Sequence, residues 1–296
     1  MNTLVCPGLP ASWLNGWLAA VGATVLDPRL RLSWTAEDAP VAVLSAESLE
    51  PVDALAESWP TQKLVDDLPI AAHWRNAPTL ERQVAVGDFR IRAAEARSTP
   101  ESWTLSSTLT DMSIDRKGEV AHAPFDAAGP GTVEWLHYRV TRLHDRIGRP
   151  SASRLHASLT GRASRVKDNG LGFDQSRLGS LADKTDPWVE PVVELLAFYG
   201  LALFPMRASG ADRRERGSPD ERQRGWRSPP GSRDPREFHW PAWAPTLDAW
   251  GIDALLDVWN PWRRASWPAV GVHAGWRSVR YRNRATADAT LSLIHI

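Results

Sequence analysis

Apolar residues recur at helical spacing in a few stretches of this chain and alternate in shorter ones. Trp13–Leu26 is apolar almost throughout and predicts a buried helix, with Pro10 and Ser12 before it and Asp27-Pro28 as its stop. Ser48–Ser58 predicts a short helix closed by Trp59-Pro60. Val133–Ile147 is the clearest amphipathic segment, with Leu136, Val140, Leu143 and Ile147 on one stripe. Pro187–Phe204 predicts a helix opened by Asp186-Pro187, and Thr246–Trp259 another, ended by Asn260-Pro261. Leu30–Trp34 and Val41–Leu44 read as short strands, Gln83–Ile91 as a hairpin, and Trp103–Leu109 and Glu119–Ala121 as weaker strands. Val270–His273 and Trp276–Tyr281 read as a closing hairpin around Ala274-Gly275. Helices and strands mix without a βαβ rhythm, which predicts an α+β fold of mixed helices and short strands.

Two helices echo each other. WLAAVGATVL at Trp17–Leu26 and VELLAFYGLALFP at Val193–Pro205 share the spacings Leu18/Leu196, Ala19/Ala197 and Gly22/Gly200. A helix-interior glycine costs about 1 kcal/mol relative to alanine, so Gly22 and Gly200 each predict a close helix–helix or helix–strand crossing. Glu194 lies inside the second segment, and burial of a lone carboxylate is costly, so an arginine partner or a wet helix edge is expected.

Arg207–Arg236 carries nine Arg, five acids and almost no apolar side chains, and is expected to be a disordered insert. The expected organisation is a main domain over 1–206, this insert over 207–236, and a segment over 237–290 that packs back on the main domain. The end, LSLIHI at Leu291–Ile296, is the translation of CTG TCT CTT ATA CAC ATC, the mosaic end of transposase-based sequencing libraries. It is read as adapter, and His295 is not counted as a ligand.

Composition narrows the function. With 296 residues and a formal net charge of zero, no global field draws the protein to nucleic acid or membrane. Arg outnumbers Lys 31 to 4, as in a GC-rich, bacterial coding sequence, so part of the arginine excess is codon usage. One cysteine, Cys6, allows no internal disulfide and fits a cytoplasmic protein. No secretory leader is read in MNTLVCPGLP, and the longest apolar run, Leu195–Met206, is short for a membrane span.

The charges are segregated. Thr35–Asp67 holds eight acids and one Lys. Arg146–Lys167 contains Arg146, Arg149, Arg154, Arg162, Arg165 and Lys167 and no acid, and Arg263–Ala287 contains Arg263, Arg264, Arg277, Arg280, Arg282 and Arg284 and no acid. Cations along a phosphate chain gain affinity by releasing counterions, and neighbouring aromatics stack on unpaired bases. Arg154, Arg162, Arg165, Lys167, Arg277, Arg280 and Arg282 are therefore the candidate contacts to nucleic acid, with Trp276 as the stacking residue. The plainer alternative is a solvated arginine-rich surface with the tryptophans in the core.

Little else carries chemistry. The chain holds no G-x-x-x-x-G-K-[ST], G-x-S-x-G or H-E-x-x-H, and Ser164…Lys167 matches S-x-x-K without companion motifs. His144-Asp145 is the best catalytic lead, an adjacent pair of the kind that ligates metal in HD-type phosphohydrolases, with His122, His137, His156 or Asp168 to complete the set. His-Asp-x-x-Gly departs by one residue from the usual His-Asp-x-Gly-Lys, and Arg146 and Arg149 oppose a metal.

The segment Pro191, Val193, Glu194, Leu195, Leu196, Ala197, Gly200, Leu201, Phe204 and Pro205, with Gly170–Asp174, Arg177 and Trp13–Gly22, resembles proteins of type I-G (formerly I-U) CRISPR systems. The likeness covers about a third of the chain and lies in packing motifs, so it transfers no catalytic residue. It implies a non-enzymatic subunit or accessory factor of a cytoplasmic antiviral ribonucleoprotein, without a cofactor. The implied partners are effector subunits and guide RNA or target DNA, with no membrane. The alternatives are an HD-like metal-dependent nuclease fragment and a Trp-rich protein-interaction module.

Overall fold

The computed structural model describes residues 1–61, 83–85, 119–121, 136–168, 170, 188–200, 203, 226–227, 237–282 and 289–295. Side chains are described over 1–61, 141–168, 170, 188–200, 203 and 238–277. Strand β1 (Asn2–Pro10) leads to helix α1 (Leu14–Leu26), strands β2 (Arg31–Trp34) and β3 (Val41–Ala46), and helix α2 (Pro51–Glu57). Short strands β4 (Gln83–Ala85) and β5 (Glu119–Ala121) pair with each other. Helices α3 (Leu136–Ile147) and α4 (Ala152–Leu159) precede a ribbon of β6 (Val166–Lys167) and β7 (Trp188–Val189). Helix α5 (Pro191–Gly200), strands β8 (Trp226–Arg227) and β9 (Glu237–Trp243), helix α6 (Ala249–Val258), and strands β10 (Val272–Arg282) and β11 (Ala289–His295) follow. The fold is α+β.

Two antiparallel sheets, β1-β3-β2 and β11-β10-β9-β8, carry most of the strand content. The core lies around α1 and α5. Leu14–Thr24 of α1 and all ten residues of α5 are buried, which is why neither segment shows a polar face in sequence. Each fully buried Leu or Val adds about 1.5–3 kcal/mol. The echoing helices pack on each other, and the glycines make that possible. A Cβ on Gly22 would fall on the Leu196 carbonyl oxygen, and one on Gly200 on the Leu18 carbonyl oxygen. The paired positions of the echo thus face each other reciprocally.

Three indoles tie the C-terminal strands to the N-terminal elements. Trp240 Nε1 donates to the Ala11 carbonyl at 2.8 Å, Trp17 Nε1 to Pro241 at 2.7 Å, and Trp243 Nε1 to Leu32 at 3.1 Å. Trp243 also meets Trp17 and Trp34 edge-on, with centroids 6.2 and 5.9 Å away. Eight of the tryptophans are buried, so much of the Trp richness is core.

Several expected elements differ. Ala274-Gly275 is not a turn, because β10 runs through it and pairs with Ala242 and Pro241 of β9. Gly275 is there for packing, since a Cβ would stand 2.8 Å from the Trp267 ring. The α5 helix starts at Pro191 and not at Pro187. Glu190 Oε2 accepts from the Val193 amide at 2.8 Å, and the preceding Trp188–Val189 is strand. β4 has β5 as its described partner, while 86–91 and 103–109 lie outside the described residues. Within 207–236 only Trp226–Arg227 is described, paired with β9, so at these two residues the expected insert is strand. Leu291–His295 pairs with β10. A backbone ladder needs only an open edge and a run of strand-forming residues, so this pairing is indifferent to the origin of the segment. Among the described residues, no helix is long and apolar enough to cross a membrane.

Candidate nucleic-acid interface

The sequence-predicted cations from Arg146 to Lys167 fall on the end of α3, on α4 and on the β6–β7 ribbon. Their environments divide them. Arg142 and Arg146 converge on Asp168, a carboxylate 2% exposed. Arg142 donates to both its oxygens, Nε at 3.0 Å and Nη2 at 2.8 Å, and Arg146 Nη2 stands 3.3 Å away. The Gly170 amide adds a fourth donor at 2.9 Å. A bidentate fork on a buried acid fixes Arg142 in place.

Arg154 is committed likewise. Its Nη2 lies 2.6 Å from Glu190 Oε1, which also accepts from Ser158 Oγ at 3.1 Å. Burial pushes the Glu190 carboxyl above its ordinary range, and the Val193 amide, Arg154 and Ser158 offset that only in part. Arg154 is thus the counter-charge of an internal acid and not a free contact for phosphate.

The remaining three predicted residues of this block face solvent. Arg162 is exposed and hydrogen-bonds His156 Nδ1 at 2.9 Å and Thr160 Oγ1 at 3.0 Å, neither of which cancels its charge. Arg165 and Lys167 are exposed. Lys167 pairs across the ribbon with Trp188, and its ammonium lies 5.7 Å from the indole centroid. Trp188 is 57% exposed while its neighbour Val189 is buried, as strand alternation requires. This indole was missed in sequence because Trp188 was placed inside a helix. Its signal is the apolar-out, apolar-in pair between Pro187 and Glu190.

The second predicted block is different. Trp276 is 3% exposed, across from Trp240 of β9, so it is a core residue and not a stacking platform. Its strand neighbour Arg277 is half-buried. Arg280 and Arg282 lie on β10, opposite Leu291 and Ala289, and their side chains lie outside the described residues. The structure therefore brings Lys167 and the exposed Trp188 together, leaves Arg162 and Arg165 exposed on the segment just before them, and buries Trp276 in the core.

The His144-Asp145 pair does not converge on one point. His144 is buried, with Nε2 2.9 Å from the Pro60 carbonyl, while Asp145 is exposed. Asp168 is occupied by guanidiniums, and the described residues contain no group of three His, Cys, Asp or Glu able to hold a metal. His122 lies outside the described residues, as does the His137 side chain. Glu194 is 1% exposed and accepts from Asn15 Nδ2 across the α1–α5 contact, so it is a buried, partnered acid.

Comparison of the chain with family profiles, with curated proteins and with solved structures returns no match.

Proposed function

We propose that this chain is a non-enzymatic subunit or accessory protein of a type I-G CRISPR effector that contacts the backbone of guide RNA or a target strand. The β6–β7 ribbon is the contact. The observation that carries this reading is Lys167 set over the exposed Trp188, with Arg162 and Arg165 exposed on the same short segment. Cations supply sequence-independent attraction to phosphate, and an exposed indole offers a face to an unpaired base. The system and its partners are inferred from the sequence likeness, whose residues in α1 and α5 are packing residues.

The test is titration of the whole chain against a fluorescent single-stranded oligonucleotide at several salt concentrations. The reading expects steep salt dependence. Replacing Arg162, Arg165 and Lys167 together by Gln lowers the magnitude of the salt slope by about 2, at about 0.7 per single-strand phosphate contact. Absence of binding at low salt, or an unchanged slope in the triple variant, overturns it. Co-purification with guide-binding subunits encoded by neighbouring genes tests the assignment to a CRISPR effector separately.

A second reading, a protein-interaction module, is favoured by α6. Trp250 is 67% and Val258 65% exposed, two turns apart on one helix. It expects a stable partner chain and no salt-dependent oligonucleotide binding.

A further inference from the structure

After α6 the chain turns sharply at Asn260, and the turn is rigid. The Asn260 side-chain oxygen accepts from the Trp262 amide at 2.9 Å. Its backbone carbonyl accepts from the Arg263 amide at 3.1 Å and from Trp267 Nε1 at 2.9 Å. Ser266 closes the loop, with Oγ 2.7 Å and N 2.9 Å from the Arg263 carbonyl. Trp267 itself is buried and packs on Trp259 at 5.7 Å. The loop is thus anchored from below by an indole and knitted by its own backbone.

On this base Trp262 is 47% exposed, and its ring packs against His239, a fully buried imidazole, with centroids 5.1 Å apart and planes inclined at 64°. A large indole half in water and held by a buried neighbour offers its exposed part to a ligand at little entropic cost. Arg263 and Arg264 follow immediately and are both exposed. Neither has a carboxylate partner among the described residues, in contrast to Arg142, Arg146 and Arg154. Pro261, Trp262, Arg263, Arg264, Ala265 and Ser266 line a shallow depression that is largely open to solvent.

We infer that this hollow binds a nucleotide unit, with the base stacked on Trp262 and the phosphate taken by Arg263 and Arg264. An exposed indole beside two guanidiniums that have no carboxylate partner among the described residues matches a ligand that is planar at one end and anionic at the other. A purely apolar ligand leaves the arginines unused, and inorganic phosphate leaves the indole unused. The inference stands apart from the ribbon, since a mononucleotide can bind this loop whether or not Trp188 meets a strand. The unit is either a free nucleotide or one residue of a single strand.

The full chain is tested with two probes. One is AMP, followed by ligand-observed NMR. The other is a single-stranded oligonucleotide carrying 5-iodouridine, photocrosslinked and mapped by mass spectrometry. AMP binding that weakens about five- to a hundredfold in Trp262→Ala and is restored in Trp262→Phe supports a free nucleotide. A crosslink at Trp262, lost in Arg263→Gln/Arg264→Gln, supports a strand. Thermal unfolding checks that each variant is folded, and Trp262→Phe keeps the ring on His239 if Trp262→Ala is not. The inference is overturned if neither probe binds, if crosslinks map only elsewhere, or if a folded Arg263→Gln/Arg264→Gln variant binds both probes as the parent does.

Discussion

A methyl group added to Gly22 would lie 2.8 Å from the amide nitrogen of Gly200, because the two helices touch backbone to backbone at these residues. The obstacle on each side is main chain, which cannot rotate away. Gly22→Ala and Gly200→Ala are therefore each expected to lower stability. Overpacking costs about 1–3 kcal/mol or more against a propensity gain of about 1. A net loss of about 2 kcal/mol, read from urea unfolding midpoints, is the expected outcome. Neutral or stabilised variants would show that the helices stand farther apart.

Glu190 and Asp27 give the protein opposite pH responses. Burial raises the Glu190 carboxyl above its unfolded value, so its contribution is full below the unfolded pKa and is lost as pH rises through the raised one. Asp27 is fully buried and burial pushes it up too, yet hydrogen bonds from Arg29 and Ser58 win and hold it low. Its contribution is present above the unfolded pKa and lost as pH falls. Stability measured against pH is expected to lose its fall on the upper side of the carboxylate range in Glu190→Gln, and to lose part of its acid-side drop in Asp27→Asn. Arg154→Ala leaves Glu190 without its counter-charge and costs about 1–3 kcal/mol.

Cys6 is fully buried on β1, and desolvation pushes its thiol up to about 12. A thiol, not a thiolate, is present at neutral pH, so the native protein is expected to react with a disulfide reagent only as it unfolds. The check is the rate of thiol release at pH 8 with and without denaturant. Its stability contribution falls as pH rises from about 9, the unfolded value, toward 12. Rapid native labelling would count against the burial of Cys6.

Asp168 holds Arg142 and Arg146 away from any external anion. If the ribbon binds a strand, Asp168→Asn should tighten that binding while lowering stability, since it frees guanidinium charge and weakens an internal fork. Oligonucleotide affinity and unfolding midpoint measured on the same preparation separate the two effects. Weaker binding by a folded Asp168→Asn protein would argue that Asp168 positions the contact rather than masking it.

Helices were legible wherever the pattern was long. α1, α2 and α6 start within three residues of their expected positions, and they end beside the stop signals Asp27-Pro28, Trp59-Pro60 and Asn260-Pro261, as α3 ends at Ile147 before Gly148. A close crossing at Gly22 and at Gly200 was legible from the cost of glycine, but that each helix is the other's partner was not. Strands β1 and β9 were not, and prolines hid both. β1 carries Pro7 and breaks register between Cys6 and Pro10. In β9, Pro241 turns its carbonyl toward Trp17 and so away from β10, where its missing N–H costs no ladder bond. The site was half legible. Arg162, Arg165 and Lys167 are exposed as charge segregation suggested, but sequence cannot tell them from Arg154, whose acid partner lies 36 residues on. Trp188 and Trp276 exchanged roles because exposure depends on which strand covers which face.

The reciprocal seat of α1 on α5 also sets an order of events at the ribosome. The first helix leaves the exit tunnel apolar on nearly every side, and although β1, β2 and β3 can cover part of it, its most extensive partner, α5, is complete only once residue 200 is made. Its indole anchor, Pro241, arrives later still. Such distant partners slow assembly and leave one side of an apolar helix uncovered while the chain between them is made.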